Sequence, residues 1–298
     1  MASSTLLAGF PGGNLGRFSC PAGDTLWDCD VSEQIMHVFA FPSSPVWITF
    51  AGDAPILADR SQVMLHRMGQ VYQRSSVAGN GDYCRFIALT DDTVREMTAG
   101  WDQRSADEPI YAFGRKHTEI DPNVYAAFLT ATSSGLADGD GLRVAEACLL
   151  ASEVIVRTAS LHNTTPARLP RQAATARRDL VEAAKSLIAT DVANNWSLDA
   201  LARRLHVSPY HLTRSFRRVT GVPLHRYLTD VRLRTGLDLL LGADESTVTT
   251  IAHRLGFASH AHFTTSFRTL FGMTPSQARA ITAAKSSKIL EAATKPAL

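Results

Sequence analysis

The sequence predicts an α+β chain: a strand-rich N-terminal half followed by helices, then an all-α C-terminal half of two helix-turn-helix units joined by a long helix. Three observations carry this. Short runs rich in Val, Ile, Phe, Tyr and Trp fill the first ~90 residues, helical periodicity follows, and the C-terminal region repeats itself. Charge divides with the fold. Residues 1–170 hold 12 Lys and Arg against 19 Asp and Glu, a net −7, whereas residues 171–298 hold 18 against 9, a net +9. A basic half joined to an acidic one points the second half at a polyanion, although two solvated surfaces of opposite sign give the same counts.

The strand runs are Ile35–Phe41, Val46–Phe50, Val63–His66 and Tyr83–Leu89, separated by the turn formers Pro42-Ser43-Ser44-Pro45, Gly52-Asp53 and Gly79-Asn80-Gly81-Asp82. Their spacing predicts a β-sandwich or small barrel. Asp121-Pro122 opens a helix to about Ser134 with proline in its first turn. A second helix, Leu142–Thr158, carries Val144, Cys148, Ala151, Val154 and Ile155 as one apolar stripe, which suits packing on the barrel or on another subunit. His162–Arg178 holds Pro166 and Pro170 and then a basic run, which reads as the junction between halves. The expected division is 1–160, a linker at 161–177, a helical domain at 178–284 and a tail at 285–298.

At 298 residues, with 45% hydrophobic and 19% charged side chains, the chain has material for two globular cores. Met1–Leu15 has neither a basic n-region nor a sustained apolar run, so no secretory signal is expected. No stretch reaches the ~18 apolar residues of a membrane span. Cys20, Cys29, Cys84 and Cys148 are scattered, which predicts free thiols and a cytoplasmic location.

The repeat is specific. Leu201-Ala202-x-Arg204-Leu205-x-Val207 returns 50 residues later as Ile251-Ala252-x-Arg254-Leu255-x-Phe257. After one extra residue, Ala258, Ser208-x3-Leu212-x2-Ser215-Phe216-Arg217-x3-Gly221 returns at an offset of 51 as Ser259-x3-Phe263-x2-Ser266-Phe267-Arg268-x3-Gly272. Small Ala202 and Ala252 allow close helix crossing. Gly256 suits a turn at positive φ, where His206 is the less comfortable counterpart. Ser208 and Ser259 are N-cap types, Pro209 is a first-turn residue, and Gly221 and Gly272 are C-cap glycines.

These residues resemble the AraC/XylS family of bacterial transcription regulators. The stretch Ile251-Ala252-His253-Arg254-Leu255-Gly256-Phe257-Ala258-Ser259, on through Phe263, Phe267-Arg268, Gly272-Met273-Thr274-Pro275 and Arg279, follows the family signature. The resemblance covers about 100 residues, from near Arg178 to Ala280. Thr274-Pro275-x-Gln277 also reads as a capping box for a closing helix. The N-terminal half, chiefly around Ile56–Arg74, resembles the family's effector domains, cupin-like barrels followed by helices.

The resemblance implies a DNA-binding regulator whose two second helices enter successive major-groove segments roughly 34 Å apart, linked by Pro223–Leu241. Tyr210, Thr213 and Arg214 match base-facing positions in the first unit, and His260, Ala261, Thr264 and Thr265 in the second. Arg214 suits a guanine edge, while Tyr210 and the Thr213 methyl suit apolar groups such as the thymine methyl. Ser208, His211, Arg217 and Arg218, with Ser259 and Arg268, are the phosphate candidates, Arg217 and Arg218 otherwise being solvated surface. Some family members carry a long basic side chain where Thr265 stands, so phosphate anchoring and DNA shape are expected to weigh more in the second unit.

The expected partners are double-stranded DNA, a small-molecule effector, RNA polymerase if the protein activates, and a second copy of the chain, with no membrane. Beside the sensor reading stands an N-terminal module that binds only itself or a protein. A cupin enzyme is not expected. His37 and His66 are isolated and no His-x-His pair precedes the helical half, so neither metal nor other cofactor is predicted. His37 reads as a satisfied core residue. Trp47, Phe50 and Tyr72 are pocket candidates, although aromatic strand residues are usually core. His260 and His262 stand two apart on a helix and diverge.

Overall fold

The computed structural model of the chain describes residues 1–31, 35–108, 113–161, 171–194, 196–242 and 246–280. Ten strands build the N-terminal half: β1 (Ser3–Phe10), β2 (Gly13–Cys20), β3 (Asp30–Val31), β4 (His37–Pro42), β5 (Val46–Phe50), β6 (Ile56–Ala58), β7 (Gln62–His66), β8 (Tyr72–Ser76), β9 (Asp82–Leu89) and β10 (His117–Glu119). The larger sheet runs β1-β2-β9-β4-β7-β10 and the smaller β3-β8-β5-β6, all described pairings being antiparallel. Among the described residues no strand pairs one sheet with the other. Of the expected sandwich or small barrel, the described residues form two stacked sheets and no closed barrel.

Alternation along the strands gives the larger sheet two buried faces. Leu15, Phe39, Phe41, Val63, Leu65, Ile87 and Leu89 belong to the main core. That core also takes in α3 (Pro122–Asp138) and α4 (Gly141–Leu161), which come after the short helices α1 (Asp91–Thr98) and α2 (Gln103–Asp107). Asp121 caps α3 by accepting from the Asn123 and Val124 amides, with Pro122 in the first turn. On α4, Val144, Cys148, Ala151 and Ile155 are buried in this core, so the apolar stripe covers the chain's own sheet. The four cysteines are free thiols.

The C-terminal half comprises α5 (Arg171–Thr190), α6 (Leu198–Arg204), α7 (Pro209–Thr220), α8 (Leu224–Leu241), α9 (Val248–Arg254), α10 (His260–Phe271) and α11 (Pro275–Arg279). Helix α5 begins inside the segment expected to be linker. Residues 162–170 and the expected tail at 285–298 lie outside the described residues.

Two cores serve this half. Leu201, Ala202, Leu212, Phe216, Tyr227, Leu228 and Val231 pack on Val181, Ala184 and Ile188 of α5. Leu233, Leu237, Leu240, Ile251, Phe263, Phe267 and Phe271 instead join the main core with the N-terminal half. Polar contacts accompany that junction. Arg60 Nε donates to Asp238 at 2.7 Å, and the Tyr125 hydroxyl donates to the same carboxylate at 3.2 Å. Buried Arg234 donates to the Ile120 carbonyl at 2.8 Å, its guanidinium 4.8 Å from the centre of the Tyr125 ring. The Leu57 amide donates to Glu182 at 2.7 Å, and the Tyr227 hydroxyl donates to buried Asp59. Among the described residues no helix is long and apolar enough to cross a membrane.

Candidate nucleic-acid interface

Both helix-turn-helix units are closed by the same local chemistry. The Val207 amide donates to the Ala202 carbonyl at 3.0 Å, and the Phe257 amide to Ala252 at 3.1 Å. His206 and Gly256 occupy the turn at φ +54° and +74°, the left-handed conformation expected of this position. A Cβ at Gly256 would stand 2.3 Å from the Ala193 carbonyl oxygen, so close approach as well as φ demands glycine there. The Ser208 and Ser259 hydroxyls cap α7 and α10 by accepting from the His211 and His262 amides, each at 3.1 Å. Gly221 and Gly272 end the helices in the left-handed conformation. Thr274 and Gln277 form the expected capping box on α11.

This geometry sorts the faces of α7. Leu212, Ser215 and Phe216 are buried, while Tyr210, His211, Thr213, Arg214, Arg217 and Arg218 are exposed, as is Ser208 at its cap. Tyr210 is 71% exposed, which a large aromatic ring does not reach when it serves the core. Arg214 Nη1 lies 3.5 Å from the Tyr210 hydroxyl one turn away, so the two stand side by side. The Thr213 hydroxyl donates back to the Pro209 carbonyl at 3.0 Å, which commits its proton to the helix.

On α10, Phe263, Phe267 and Phe271 face inward, and His260, Ala261, Thr265 and Arg268 are exposed, with Ser259 exposed at the cap. Thr264 is half-buried rather than exposed, with its hydroxyl 3.5 Å from His260 Nε2. His262 turns away from His260 and packs edge-on against Phe257, ring centres 5.3 Å apart. The outer surface of α10 is consequently shorter in reach and poorer in hydrogen-bond donors than that of α7.

One residue outside the motif matters to the spacing of the two helices. Arg232 on α8 donates to the Val192 carbonyl at 2.8 Å and the Asn194 carbonyl at 2.7 Å, beside the first unit, and to the Gly256 carbonyl at 3.3 Å in the turn of the second. It ties both units to the connecting helix. Nothing in its local sequence marks it, because these acceptors are backbone oxygens from distant segments.

Residues 201–281 match the family model described as a helix-turn-helix domain. The urease operon transcriptional activator of Escherichia coli is 38% identical over 98 residues, covering 33% of this chain and 32% of that protein. The transcriptional activator RhaS of Escherichia coli O139:H28 is 40% identical over 85 residues, 28% of this chain and 30% of that one. The chain thus spans about a third of the length of these relatives. A crystal structure of an AraC-type regulator from Chromobacterium violaceum is 27% identical, covers 36% of this chain and 94% of its own, and has a TM-score of 0.34. The C-terminal region is a helix-turn-helix domain, similar to that of these transcriptional activators.

Proposed function

We propose that the protein is a sequence-specific, DNA-binding transcription regulator that sets α7 and α10 into successive major-groove segments on one face of the duplex. The observation that carries this is the pair of equivalently capped helices, each with an apolar inner face and a polar outer one, held to a single connecting helix. Arg214 reads a guanine edge, with Tyr210 and Thr213 on neighbouring bases, while Arg217, Arg218, His211 and Ser208 hold phosphates. In the second unit His260, Ala261, Thr264 and Thr265 face the groove, and Arg268 and Ser259 fix the backbone.

The proposed division is a cupin-like sensor at 1–160, a linker at 161–177, the DNA-binding domain at 178–284 and a tail at 285–298. The resemblance around Ile56–Arg74 and the two-sheet architecture support the sensor reading. The contacts of Arg60, Tyr125 and Ile120 with Asp238 and Arg234 give that half a direct hold on α8. The protein then acts in the bacterial cytoplasm on the nucleoid, contacting RNA polymerase where it activates.

The test is selection of bound fragments from random duplex DNA, followed by footprinting. A protected site of two segments one helical turn apart is expected. Retention of random DNA without enrichment would contradict sequence-specific reading. Deleting residues 1–170 tests the sensor: regulation by the remainder identical to that of the whole chain under every condition would remove that role.

A further inference from the structure

The face of the larger sheet turned away from the helices does not close on the smaller sheet. A cavity of about 300 Å³ lies between them, lined from one side by Val38, Ala40, Met64 and Phe86 and from the other by Val46 and Ile48. That is about twice the ~150 Å³ that accommodates a benzene molecule in an apolar cavity. Its walls are mainly aliphatic and aromatic, and apart from Ser4 the polar side chains form one region: His66, Tyr72, Arg74, Asp82 and Cys84.

That polar region is buried and incompletely paired. His66 is 3% exposed and Arg74 4%, and among the described residues neither His66 Nδ1 nor Arg74 Nε has a hydrogen-bond partner. Buried polar nitrogens are costly to leave unpaired, so they point to a bonding group brought by a ligand. The charge there is already balanced: Arg74 Nη1 donates to Asp82 at 3.3 Å, and the guanidinium rests 4.2 Å from the centre of the Phe18 ring. Burial holds the His66 imidazole neutral, its pKa pushed down to about 3. A carboxylate or ammonium entering here would bring a charge with no counter-charge to meet it. A hydroxyl brings none, and it both accepts and donates.

We infer that this cavity binds a small, uncharged, largely apolar molecule bearing a hydroxyl group, such as an alkylphenol or a cyclic alcohol. The inference deepens the sensor reading of the N-terminal half and rests on it. The experiment is therefore run without DNA, so that its failure and a failure to bind DNA are separate results. Titration calorimetry of the full chain at pH 7 with 4-butylphenol, butylbenzene and 4-butylbenzoate keeps the body constant and changes only the polar group.

The expected result is one-to-one binding of the phenol, with the hydrocarbon about tenfold weaker for want of its hydrogen bonds and the benzoate weaker still. Ala40→Leu fills the cavity and should abolish binding. His66→Leu should reduce the phenol to the level of the hydrocarbon, with circular dichroism of both variants reporting the fold. Benzoate binding as tight as the phenol would overturn the uncharged class. Absence of binding by all three compounds, or phenol affinity unchanged in a folded Ala40→Leu variant, would overturn the site. Should either variant fold poorly, the three-compound series on the unaltered chain still decides.

Discussion

The two helix-turn-helix units share a backbone plan but belong to different cores. The first closes on α5 through Leu212 and Phe216, and its outer face carries Tyr210 and Arg214. The second, through Phe263, Phe267 and Phe271, is continuous with the core of the N-terminal half, and its outer face carries His260, Ala261 and Thr265, with Arg268 as its one exposed arginine. One unit is proposed to read bases; the other shares its core with the module proposed to sense a ligand. A change of packing in the N-terminal half therefore reaches α10 through side-chain contact, whereas it reaches α7 only through α5, α8 and a few polar links such as Tyr227–Asp59.

Core truncations test that difference with the largest effect. Phe263→Ala and Phe216→Ala should each cost about 3–5 kcal/mol in denaturant unfolding. They should differ in where protection is lost. Hydrogen exchange in α3 should rise in Phe263→Ala and stay unchanged in Phe216→Ala; equal responses would erase the distinction between the cores.

Acid should act first on the N-terminal half. Burial, with Arg74 and Lys116 nearby, holds His66 at a pKa of about 3, whereas an unfolded imidazole titrates near 6.5. Below about pH 6.5 the unfolded chain takes up a proton that the folded chain does not. The stability of this contribution is complete above that pH and is lost as pH falls toward 3, by up to about 1.4 kcal/mol per pH unit. Denaturation midpoints measured from pH 7 to 4.5 should show this slope, and it should flatten in His66→Leu.

The turn position separates the units more finely. Gly256→Ala adds a strained φ and a contact with the Ala193 carbonyl, and should cost about 1–3 kcal/mol. His206→Gly relieves a positive φ at an exposed site and should be neutral or stabilise by up to about 1 kcal/mol. Thermal unfolding of the two variants checks the opposite signs.

What was legible in the sequence was what local chemistry determines. Ser208, Ser259, Gly221, Gly272, the His206 and Gly256 turns and the Thr274–Gln277 box all act within a few residues of themselves, and all stand where the repeat places them. The strand Val46–Phe50 and the Asp121 cap were legible for the same reason. The hairpin of β1 and β2 was not. Gly9, Gly13, Gly16 and several serines lower its strand propensity, and it forms because β2 pairs along its length with β9. The cavity was hidden too. Tyr72 was a pocket candidate and does line it, but Phe50 is core and Trp47 does not line the cavity. Because both faces of the larger sheet are apolar, no polar alternation distinguishes the ligand-facing side from the helix-facing side. Arg232, Arg234 and Asp59 bond to backbone atoms or side chains between 24 and 168 residues away, and nothing near them in sequence records it.

The most direct test of the division of labour is quantitative binding of two variants to a selected operator and to random duplex DNA across a salt series. Arg214→Ala should weaken the operator by about 1–3 kcal/mol and leave random DNA nearly unchanged. Arg268→Ala should weaken both alike and flatten the salt dependence by the loss of one phosphate contact. Equal losses on both DNAs for Arg214→Ala, or a selective loss for Arg268→Ala, would contradict the assignment of reading to the first unit and anchoring to the second.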